Sequence, residues 1–378
     1  MQVFVYEFIT GGGLLSHSEV PRGHLLGEAL AMVTAMANDF ARLVDVRITL
    51  LCDSRVEMPN VSEAECWKVH QPEEESRLFQ KLAGESDWTV VIAPEFGGVL
   101  LERCRVVETV GGRLLGPNSE LVEMASDKHA LCGGLTRAGL KVPYGILLSA
   151  QQPLPQDFKY PAVLKPVDGA GSVGIELIDG KDDVPVAVSS GCKLRLEEFH
   201  NGMAASVAIL GGPQCRLALP ACRQFVEPRS GFRYRGGEVP IDADRSRRAQ
   251  ALALGVVDAL PGSLTGYLGI DMVLGSDVQD GEDVVIEVNP RLTTSYVGLS
   301  RIVNGNLAQL MLDVASSKPG NYSLRAGSVR FDAQGNVTSQ RIERGVSSGT
   351  TNLGNQVVIS RPESPNGFPE KNCRSHQR

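Results

Sequence analysis

The chain has 378 residues, of which 42% are hydrophobic and 21% are charged, and its formal net charge is −7. This length allows two or three domains with separate cores, and the composition is that of a globular protein rather than a disordered or fibrous one. The acidic balance argues against a general nucleic-acid or anionic-membrane surface, so we expect small-molecule or protein partners.

The N-terminal stretch MQVFVYEFIT is short and apolar, lacks a basic leader and is interrupted by Glu7, so it does not predict a signal peptide. No run of about 18 apolar residues predicts a membrane span. The eight cysteines show no C-x-x-C spacing, so we expect reduced thiols and neither a zinc site nor a disulfide framework. The sequence therefore predicts a cytoplasmic protein.

Residues 1–115 predict alternating strands and helices. A strand is predicted at QVFVYEF, the glycine turn ITGGG follows it, and a helix is expected over His24–Ala41. Two further strands are predicted at VRITLLCD and WTVVIAP. Short buried strands that alternate with helices are typical of a parallel sheet. The turn at residues 11–13 is either an anion site or a plain tight turn, and the sequence leaves both open.

The middle of the chain predicts one helix and then a series of strands. The helix is expected from the N-cap Ser126 to Gly139, before an extended segment at Pro143. Five predicted strands follow, at PAVLKPV, SVGIELI, KLRLEEF, AASVAIL and QCRLALPA. A basic, glycine-rich loop is predicted over residues 227–240, EPRSGFRYRGGEVP.

The C-terminal part begins with an amphipathic helix predicted at RSRRAQALALGVVDAL. Two strands separated by a polar turn are predicted at LTGYLGIDMVLGS and DVVIEVNP, and a helix resumes over residues 304–316. After residue 319 the sequence pattern changes. A small β appendage is predicted first, and the polar, proline-rich end predicts a disordered tail.

Residues 169–174, GAGSVG, match the G-x-G-x-x-G pattern of several nucleotide-binding folds. A dinucleotide site needs a helix after the glycines, but IELIDG alternates and stops at Gly180, which predicts a strand. The H-R-D and D-F-G tripeptides of protein kinases do not occur, and neither does the G-x-x-x-x-G-K-[ST] of a P-loop. The glycines therefore predict the tip of a β-hairpin whose backbone N–H groups can cover phosphates.

A lysine, Lys165, lies on the strand that leads into these glycines. Lysine is rarely buried without a partner, so its ammonium either contacts a triphosphate or lies on an exposed strand face. The neighbouring glycines favour the phosphate interpretation.

Two predicted strands carry Asp271 and, at positions i and i+2, Glu287 and Asn289. Residues two apart on a strand share a face, and the polar turn predicts an antiparallel hairpin that brings Asp271 onto that face. Oxygen ligands of this kind suit Mg²⁺, which takes one or two carboxylates together with waters and phosphates. The alternative is an edge strand whose Glu287 faces water.

Taken together, these motifs resemble those of the ATP-grasp carboxylate–amine ligases. The resemblance runs from about residue 126 to residue 316 and rests on DK at 127–128, VLKPVDGAGSVGI, LEEFHNG, GIDMVLG and IEVNPRLTTSYVGL. It implies an α/β protein of the ATP-grasp fold, with a Rossmann-like parallel-sheet domain ahead of two β-rich α+β lobes that clamp ATP. The implied N-terminal domain covers residues 1–116 and the small lobe residues 117–198. The C-terminal lobe with the magnesium site covers residues 199–318, and the appendage with the tail covers residues 319–378.

The resemblance also implies a nucleotide site. Its phosphate and adenine contacts would come from Lys128, Lys165, Gly169, Gly171, Ser172, Gly174, Glu197, Glu198 and Phe199. The last three would form the hinge between the lobes, whose backbone holds the adenine edge. Many members have a ribose-binding Glu in G-x-E-x-S-V, but this sequence has Ala204 there, so ribose would be held in another way, for example by Glu198.

The implied reaction is ATP-driven conversion of a carboxylate to an acyl phosphate, which an amine attacks to give an amide, ADP and phosphate. Such chemistry needs Mg²⁺ and cationic side chains more than acid–base machinery. Lys165 and Arg291 would be catalytic, with Arg291 near the γ-phosphate or acyl phosphate. The metal, Mg²⁺ with Mn²⁺ as a substitute, would be held by Asp271, Glu287 and Asn289.

The segments VYEFITGGG, FRYRGGEVP and NPRLTTSYVGL are similar to those of the tyramine–L-glutamate ligase family, which acts in methanofuran biosynthesis and C1 metabolism. The implied substrates are glutamate, joined through its γ-carboxylate, and tyramine or a similar amine. Candidates for holding the α-carboxylate are Arg223, Arg229, Arg233 and Arg235, unless they form a solvated basic loop. Tyr234 and Tyr296 are candidates for lining the amine.

Three alternatives remain open from the sequence. One is a D-alanine–D-alanine-like or other peptide-forming ligase, and another is a non-catalytic ATP-binding module. The third, an NAD-linked dehydrogenase, is disfavoured by the predicted strand after Gly174. We expect small-molecule acid and amine substrates and no nucleic-acid or membrane partner, and a homodimer is left open.

Overall fold

The computed structural model describes residues 1–341 apart from 59, 60, 62, 150, 151, 170, 184, 186–192 and 277–281. The predicted C-terminal tail and most of the polar turn between the two acidic strands lie outside the described residues. Among the described helices, none combines the length and apolarity that crossing a bilayer requires.

The N-terminal domain is built on a four-stranded sheet with the order β3-β2-β1-β4, in which every pair is parallel. Its strands are β1 Gln2–Glu7, β2 Arg47–Asp53, β3 Ala64–Val69 and β4 Trp88–Ile92. Its helices are α1 His24–Ala41, α2 Pro72–Glu85 and α3 Val99–Thr109. The predicted parallel sheet and the predicted bounds of α1 are confirmed.

Both faces of this sheet are covered, which explains the continuous apolar run of β1. Val3 and Val5 join a core that includes Met36 of α1, whereas Phe4 and Tyr6 point to the other face and join a second core. The sequence interpretation missed β3, α2 and α3. Half of the positions of β3 are exposed and only the last is buried, so it lacks the apolar alternation that identifies a strand.

The small lobe contains an antiparallel sheet with the order β6-β9-β7-β8. Its strands are β6 Gly145–Leu148, β7 Ala162–Pro166, β8 Glu176–Ile178 and β9 Leu194–Glu198, and the preceding helices are α4 Ser119–Ser126 and α5 Lys128–Arg137. The prediction of Ser126 as an N-cap is wrong, because Ser126 ends α4. Asp127 caps α5 instead, since its carboxylate accepts hydrogen bonds from the backbone N–H groups of His129 and Ala130.

The large lobe is built on a nine-stranded sheet with the order β15-β14-β10-β12-β13-β16-β17, to which β11 adds beside β10 and β5 beside β14. Its strands are β5 Gly116–Pro117, β10 Met203–Gly211, β11 Arg216–Ala218, β12 Cys222–Glu227, β13 Arg233–Val239, β14 Leu264–Leu274, β15 Val284–Asn289, β16 Ser328–Asp332 and β17 Val337–Arg341. Its helices are α6 Ala243–Ala259, α7 Ser295–Ile302 and α8 Leu307–Ala315.

The predicted loop over residues 227–240 is wrong in its second half, because Arg233–Val239 forms the strand β13 between β12 and β16. Its glycines serve close packing of strands. Gly236 has a φ of 121°, and a Cβ atom there would lie 2.0 Å from the carbonyl oxygen of Phe331. The strands β16 and β17, expected as an appendage, extend this sheet through β13.

The large sheet is covered on both faces, and one of its cores joins the lobe to the N-terminal domain. On one face, residues of α4, α5 and α6 pack against β10, β14 and β15. On the other, residues of α7 and α8 share a core with α1 and with strands of the N-terminal sheet. The helix α1 is therefore held between the two units.

Candidate active site

The glycine motif lies between two antiparallel strands, β7 and β8, so the predicted hairpin is confirmed. Gly171, Ser172 and Gly174 have φ values of 63°, 60° and 73°, a left-handed conformation that glycine adopts readily. Gly171 and Ser172 line a cleft between the lobes, while Gly169 accepts a hydrogen bond at 2.5 Å from the Nζ atom of Lys128. The loop therefore borders the cleft with its backbone.

Lys165 on β7 is 2% exposed, so the exposed strand face is excluded. Its Nζ atom lies 2.6 Å from Oε1 of Glu197 on β9, and the Nε atom of Arg195 donates to Oε2 of the same carboxylate at 2.9 Å. Glu197 is thus paired with two buried cations, which compensates its own burial. Lys165 and Glu197 both line the cleft.

Lys128, the first residue of α5, is 3% exposed. Its Nζ atom forms an ion pair at 2.7 Å with Oε1 of Glu287 on β15. Burial opposes the charge of the lysine, but Glu287 outweighs that effect, so the pKa of Lys128 lies above its ordinary value. Burial likewise opposes ionisation of the carboxylate, yet the lysines at 128 and 165 hold the pKa of Glu287 below its ordinary value.

Asp271 and Glu287 are directly opposite each other in the antiparallel pair β14–β15, so the predicted hairpin and shared face are confirmed. Asp271 accepts hydrogen bonds from Nδ2 of Asn289 at 3.0 Å and from Nε2 of Gln224 at 2.9 Å. Burial, helped by the charge of Glu287, raises the pKa of Asp271 to about 7. Two neighbouring carboxylates oppose each other's ionisation unless a cation lies between them.

Arg291 follows β15 and is fixed by a residue of the N-terminal domain. Its Nε atom lies 2.9 Å from Oε1 of Glu95, and its second guanidinium nitrogen donates to Oε2 at 3.2 Å. Glu95 is 3% exposed and follows the carboxyl end of β4. The two-point contact holds the guanidinium plane at the cleft wall.

The cleft has a volume of about 860 Å³ and is bordered by all three units of the fold. Its lining includes Glu198 and Phe199, which the sequence predicted as hinge residues, and Ala204. Phe199 packs against Phe232 with ring centroids 6.4 Å apart. The metal-site candidates Asp271, Glu287 and Asn289 line the same cleft, together with Lys165 and Arg291. Lys165, Arg291 and the predicted acids therefore share one cavity, whereas Lys128 lines a separate small pocket together with Lys165 and Glu287.

Further lining residues include the cationic side chains of Arg223 on β12 and Arg330 on β16. Their guanidinium groups lie 5.4 and 4.3 Å from the ring centroid of Phe225. Both are register partners of Glu238 on the strand between them, so they share a face of the sheet. Arg229, by contrast, is 83% exposed in its side chain and lies beside Asp179.

The two tyrosine candidates lie in different places. Tyr234 lines the cleft. Tyr296 is fully buried in the core, where its hydroxyl donates to Oδ2 of Asp39 at 2.8 Å. The prediction of Tyr296 as a lining residue for the amine is therefore wrong, because α7 turns that face of the chain toward α1.

Sequence reasoning missed Glu28, Glu95, Gln224 and Arg330, which the tertiary structure brings to or beside the cleft. Glu95 carried a usable signal, because it follows the carboxyl end of a parallel strand, where ligand sites gather. Arg330 carried none, since the segment that contains it was interpreted as an appendage.

The comparison with known families agrees with this architecture. Residues 46–122 match the model of the pre ATP-grasp 3 domain, and residues 125–295 match the model of the ATP-grasp domain. The chain belongs to the ATP-grasp superfamily of ligases. The small lobe with the glycine hairpin and the large lobe with the acidic strands both border the cleft.

This ATP-grasp chain is 26% identical over 315 residues to the tyramine–L-glutamate ligase of Methanocaldococcus jannaschii. The aligned region covers 82% of this chain and 89% of that protein. Among solved structures, it is similar to an ATP-grasp superfamily protein of Archaeoglobus fulgidus, with a TM-score of 0.62, 24% identity and coverage of 87% and 92%. The N5-carboxyaminoimidazole synthetase of Staphylococcus aureus, solved with ADP, has a TM-score of 0.66 at 12% identity and coverage of 87% and 82%. The fold is therefore the ATP-grasp fold.

Proposed function

We propose that this ATP-grasp ligase activates the side-chain carboxylate of an amino acid, glutamate, as an acyl phosphate and joins it to tyramine or a similar primary amine. The observation that carries the proposal is the meeting of Lys165 and Arg291 with the Asp271–Glu287 pair around one cleft. Lys128 adds a further cation through its ion pair with Glu287. The tyramine–L-glutamate ligase relative supports the choice of substrates.

The cations explain how two anions can react. A glutamate γ-carboxylate oxygen attacks the γ-phosphorus of ATP, the bond from that phosphorus to the bridging oxygen breaks, and ADP leaves. The carboxylate and the triphosphate repel each other, so fixed positive charge is needed where they meet. Lys165 and Lys128 would bind phosphate oxygens under the glycine loop, and Arg291 would bind the transferred phosphoryl group.

The acids fit a magnesium ion. Mg²⁺ takes one or two carboxylates and leaves its other positions to water and phosphates. Among the described residues, no three His, Cys, Asp or Glu side chains gather as a metal-binding group, so a site closed by protein ligands alone is not formed there. Asp271, Glu287 and the amide of Asn289 form an incomplete oxygen set of the kind that a metal–nucleotide complex would fill. Mg²⁺ bound there would neutralise charge on the triphosphate.

Two arginines that line the cleft support an amino-acid substrate. Within the described part of the chain, Arg223 and Arg330 form no ion pair with a carboxylate, and they flank the ring of Phe225. An arginine without a carboxylate partner at a cleft wall suits the α-carboxylate of a bound amino acid. The aromatic ring beneath the two guanidinium groups keeps them in place.

The test is a substrate-dependent assay of ADP and product. The protein is incubated with ATP, Mg²⁺, L-glutamate and tyramine, and reactions without each component serve as controls. We expect ADP release that depends on both substrates and a product whose mass corresponds to glutamate plus tyramine minus water. Fragmentation of the product distinguishes the γ-amide from the α-amide.

Two other outcomes would overturn this proposal. Release of ADP with D-alanine as both substrates, and none with glutamate, would favour a D-alanine–D-alanine-like or other peptide-forming ligase. Binding of ATP without substrate-dependent release of ADP from a panel of acids and amines would favour a non-catalytic ATP-binding module.

A further inference from the structure

Glu28 lies on α1, the helix of the N-terminal domain that packs against the large lobe. His24, Glu28 and Met32 are spaced by four residues, so they form one face of the helix, and all three line the cleft. The end of this helix is fastened to the β16–β17 turn, where Nε2 of Gln334 lies 3.2 Å from Nδ1 of His24. The carboxylate of Glu28 therefore borders the cleft on a rigid element.

The carboxylate of Glu28 has no hydrogen-bond or ion-pair partner in the described part of the chain. The charge of Arg291 acts on Glu28, but the guanidinium of Arg291 is already held by Glu95. Burial raises the pKa of Glu28 to about 7, against the opposing charge of Arg291. A half-buried acid of this kind is able to exchange a proton near neutral pH.

The remaining acids that line the cleft are engaged elsewhere. Glu197 pairs with Lys165, and Glu287 pairs with Lys128. Asp271 accepts two amide hydrogen bonds, and Glu227 pairs with Arg235. Glu198 belongs to the hinge, with Lys159 and His200 both 4.0 Å away. Among the described lining residues, Glu28 is the carboxylate without a hydrogen-bond or ion-pair partner.

A ligase that takes a primary amine must remove a proton from it. The free amine is the nucleophile, but an alkylamine enters at neutral pH as the ammonium ion. Lys128, Lys165 and Arg291 cannot accept this proton because they are already cationic. A carboxylate beside the acyl group both attracts the ammonium and accepts its proton.

We propose that Glu28 binds the ammonium group of the amine substrate and acts as the base that converts it to the nucleophile. The step transfers one proton from R–NH₃⁺ to the Glu28 carboxylate. The nitrogen lone pair then attacks the acyl carbon, the C–N bond forms, and the bond from that carbon to the phosphate oxygen breaks. Phosphate leaves with the bond electrons and carries off the second nitrogen-bound proton. This inference rests on the proposed ligase function.

The test separates deprotonation of the amine from activation of the acid. Glu28→Gln keeps the size of the side chain but cannot accept a proton. Native protein and variant are assayed with ATP, Mg²⁺ and glutamate, once with tyramine and once with hydroxylamine. Hydroxylamine is uncharged at neutral pH and attacks an acyl phosphate without a base, and the hydroxamate it forms is measured directly.

We expect Glu28→Gln to reduce the kcat for the amide by roughly a hundredfold, the size of a lost general base, and to leave hydroxamate formation at the native rate. The matched control is Glu19→Gln, which removes an exposed acid of the same domain and should change neither rate. Thermal unfolding of both variants checks that the fold is retained.

Equal losses of amide and hydroxamate, or a raised KM for glutamate, would show that Glu28 acts on the acid substrate and would overturn this inference. An unchanged kcat for the amide would overturn it as well. If the native protein forms neither amide nor hydroxamate from glutamate, the proposed ligase function fails, and that result does not depend on the variant.

Discussion

The Nζ atom of Lys165 lies 2.6 Å from the Oε1 atom of Glu197, and both side chains are almost completely buried. Arg195 contacts the other oxygen of the same carboxylate at 2.9 Å. One acid therefore holds two cations, and the negative charge of Glu197 neutralises only part of their combined charge. Of the two cations only Lys165 lines the cleft, so its charge is the one that would attract a phosphate group there.

We expect Lys165→Met to reduce ATP- and glutamate-dependent ADP formation by at least roughly a hundredfold, because a cation aimed at developing charge is lost. The fold should be retained, since Arg195 continues to compensate Glu197. The control is Lys181→Met, which removes an exposed lysine of the same lobe. A coupled ADP assay measures the effect, and native turnover by the variant would contradict the phosphate assignment.

Glu287→Gln should weaken the dependence on Mg²⁺. The substitution removes a carboxylate from the oxygen set and leaves Lys128 without its ion-pair partner. We expect the Mg²⁺ concentration for half-maximal activity to rise by roughly tenfold or more. Glu282→Gln changes an acid of the same hairpin whose side chain is 62% exposed, and it should leave the titration unchanged. A titration of the Glu287 variant that matches the native curve would exclude Glu287 from the metal site.

Arg223→Leu should raise the KM for glutamate by roughly tenfold to a hundredfold, because a charge-assisted contact with the α-carboxylate is lost. The KM for ATP should not change. Arg229→Leu provides a matched control, since this arginine lies in the same stretch but its side chain is 83% exposed and does not line the cleft. Equal effects of the two substitutions would point to general charge rather than to a specific carboxylate site.

Glu7→Gln should stabilise the protein at alkaline pH. Glu7 is 3% exposed, and its Oε2 atom accepts a hydrogen bond from the backbone N–H of Thr10 at 2.7 Å. Burial raises the pKa of Glu7 from 4.5 to about 7, against opposing hydrogen bonds from Thr10. Between these two pKa values the folded state binds more protons than the unfolded state, so the stability of the fold falls as the pH rises. Above about pH 7 the full destabilisation by the ionised, buried Glu7 is present.

Glu7→Gln should raise the free energy of unfolding by nearly zero at pH 4 and by up to about 3 kcal/mol at pH 8. The latter value is the free energy that corresponds to this pKa shift. Urea unfolding at both pH values measures it. The control Glu85→Gln replaces an exposed acid at the end of α2 and should show no such dependence. A gain of the same size at both pH values would indicate altered packing rather than titration of Glu7.

Local sequence patterns were sufficient for much of the fold and for part of the site. Alternation predicted the β7–β8 hairpin around the glycines and the strands of Asp271 and Glu287, because side chains two apart on a strand share a face whatever surrounds them. Alternation did not predict the strand β3, half of whose positions are exposed, or the strand β13, which contains two glycines. Exposed polar residues and glycines are also typical of loops, so the sequence does not distinguish these strands from loops.

The sequence by itself determined which residue types were present for the chemistry: the lysines and glycines of the hairpin, the paired acids and the following arginine. Only the tertiary structure decided what faces them. Glu95 meets Arg291 across 196 residues of chain, and α1 brings Glu28 to a cleft formed mainly by the two later lobes. The physical reason is that a backbone pattern sets the face on which a side chain lies, whereas packing of distant segments sets which groups that face encounters.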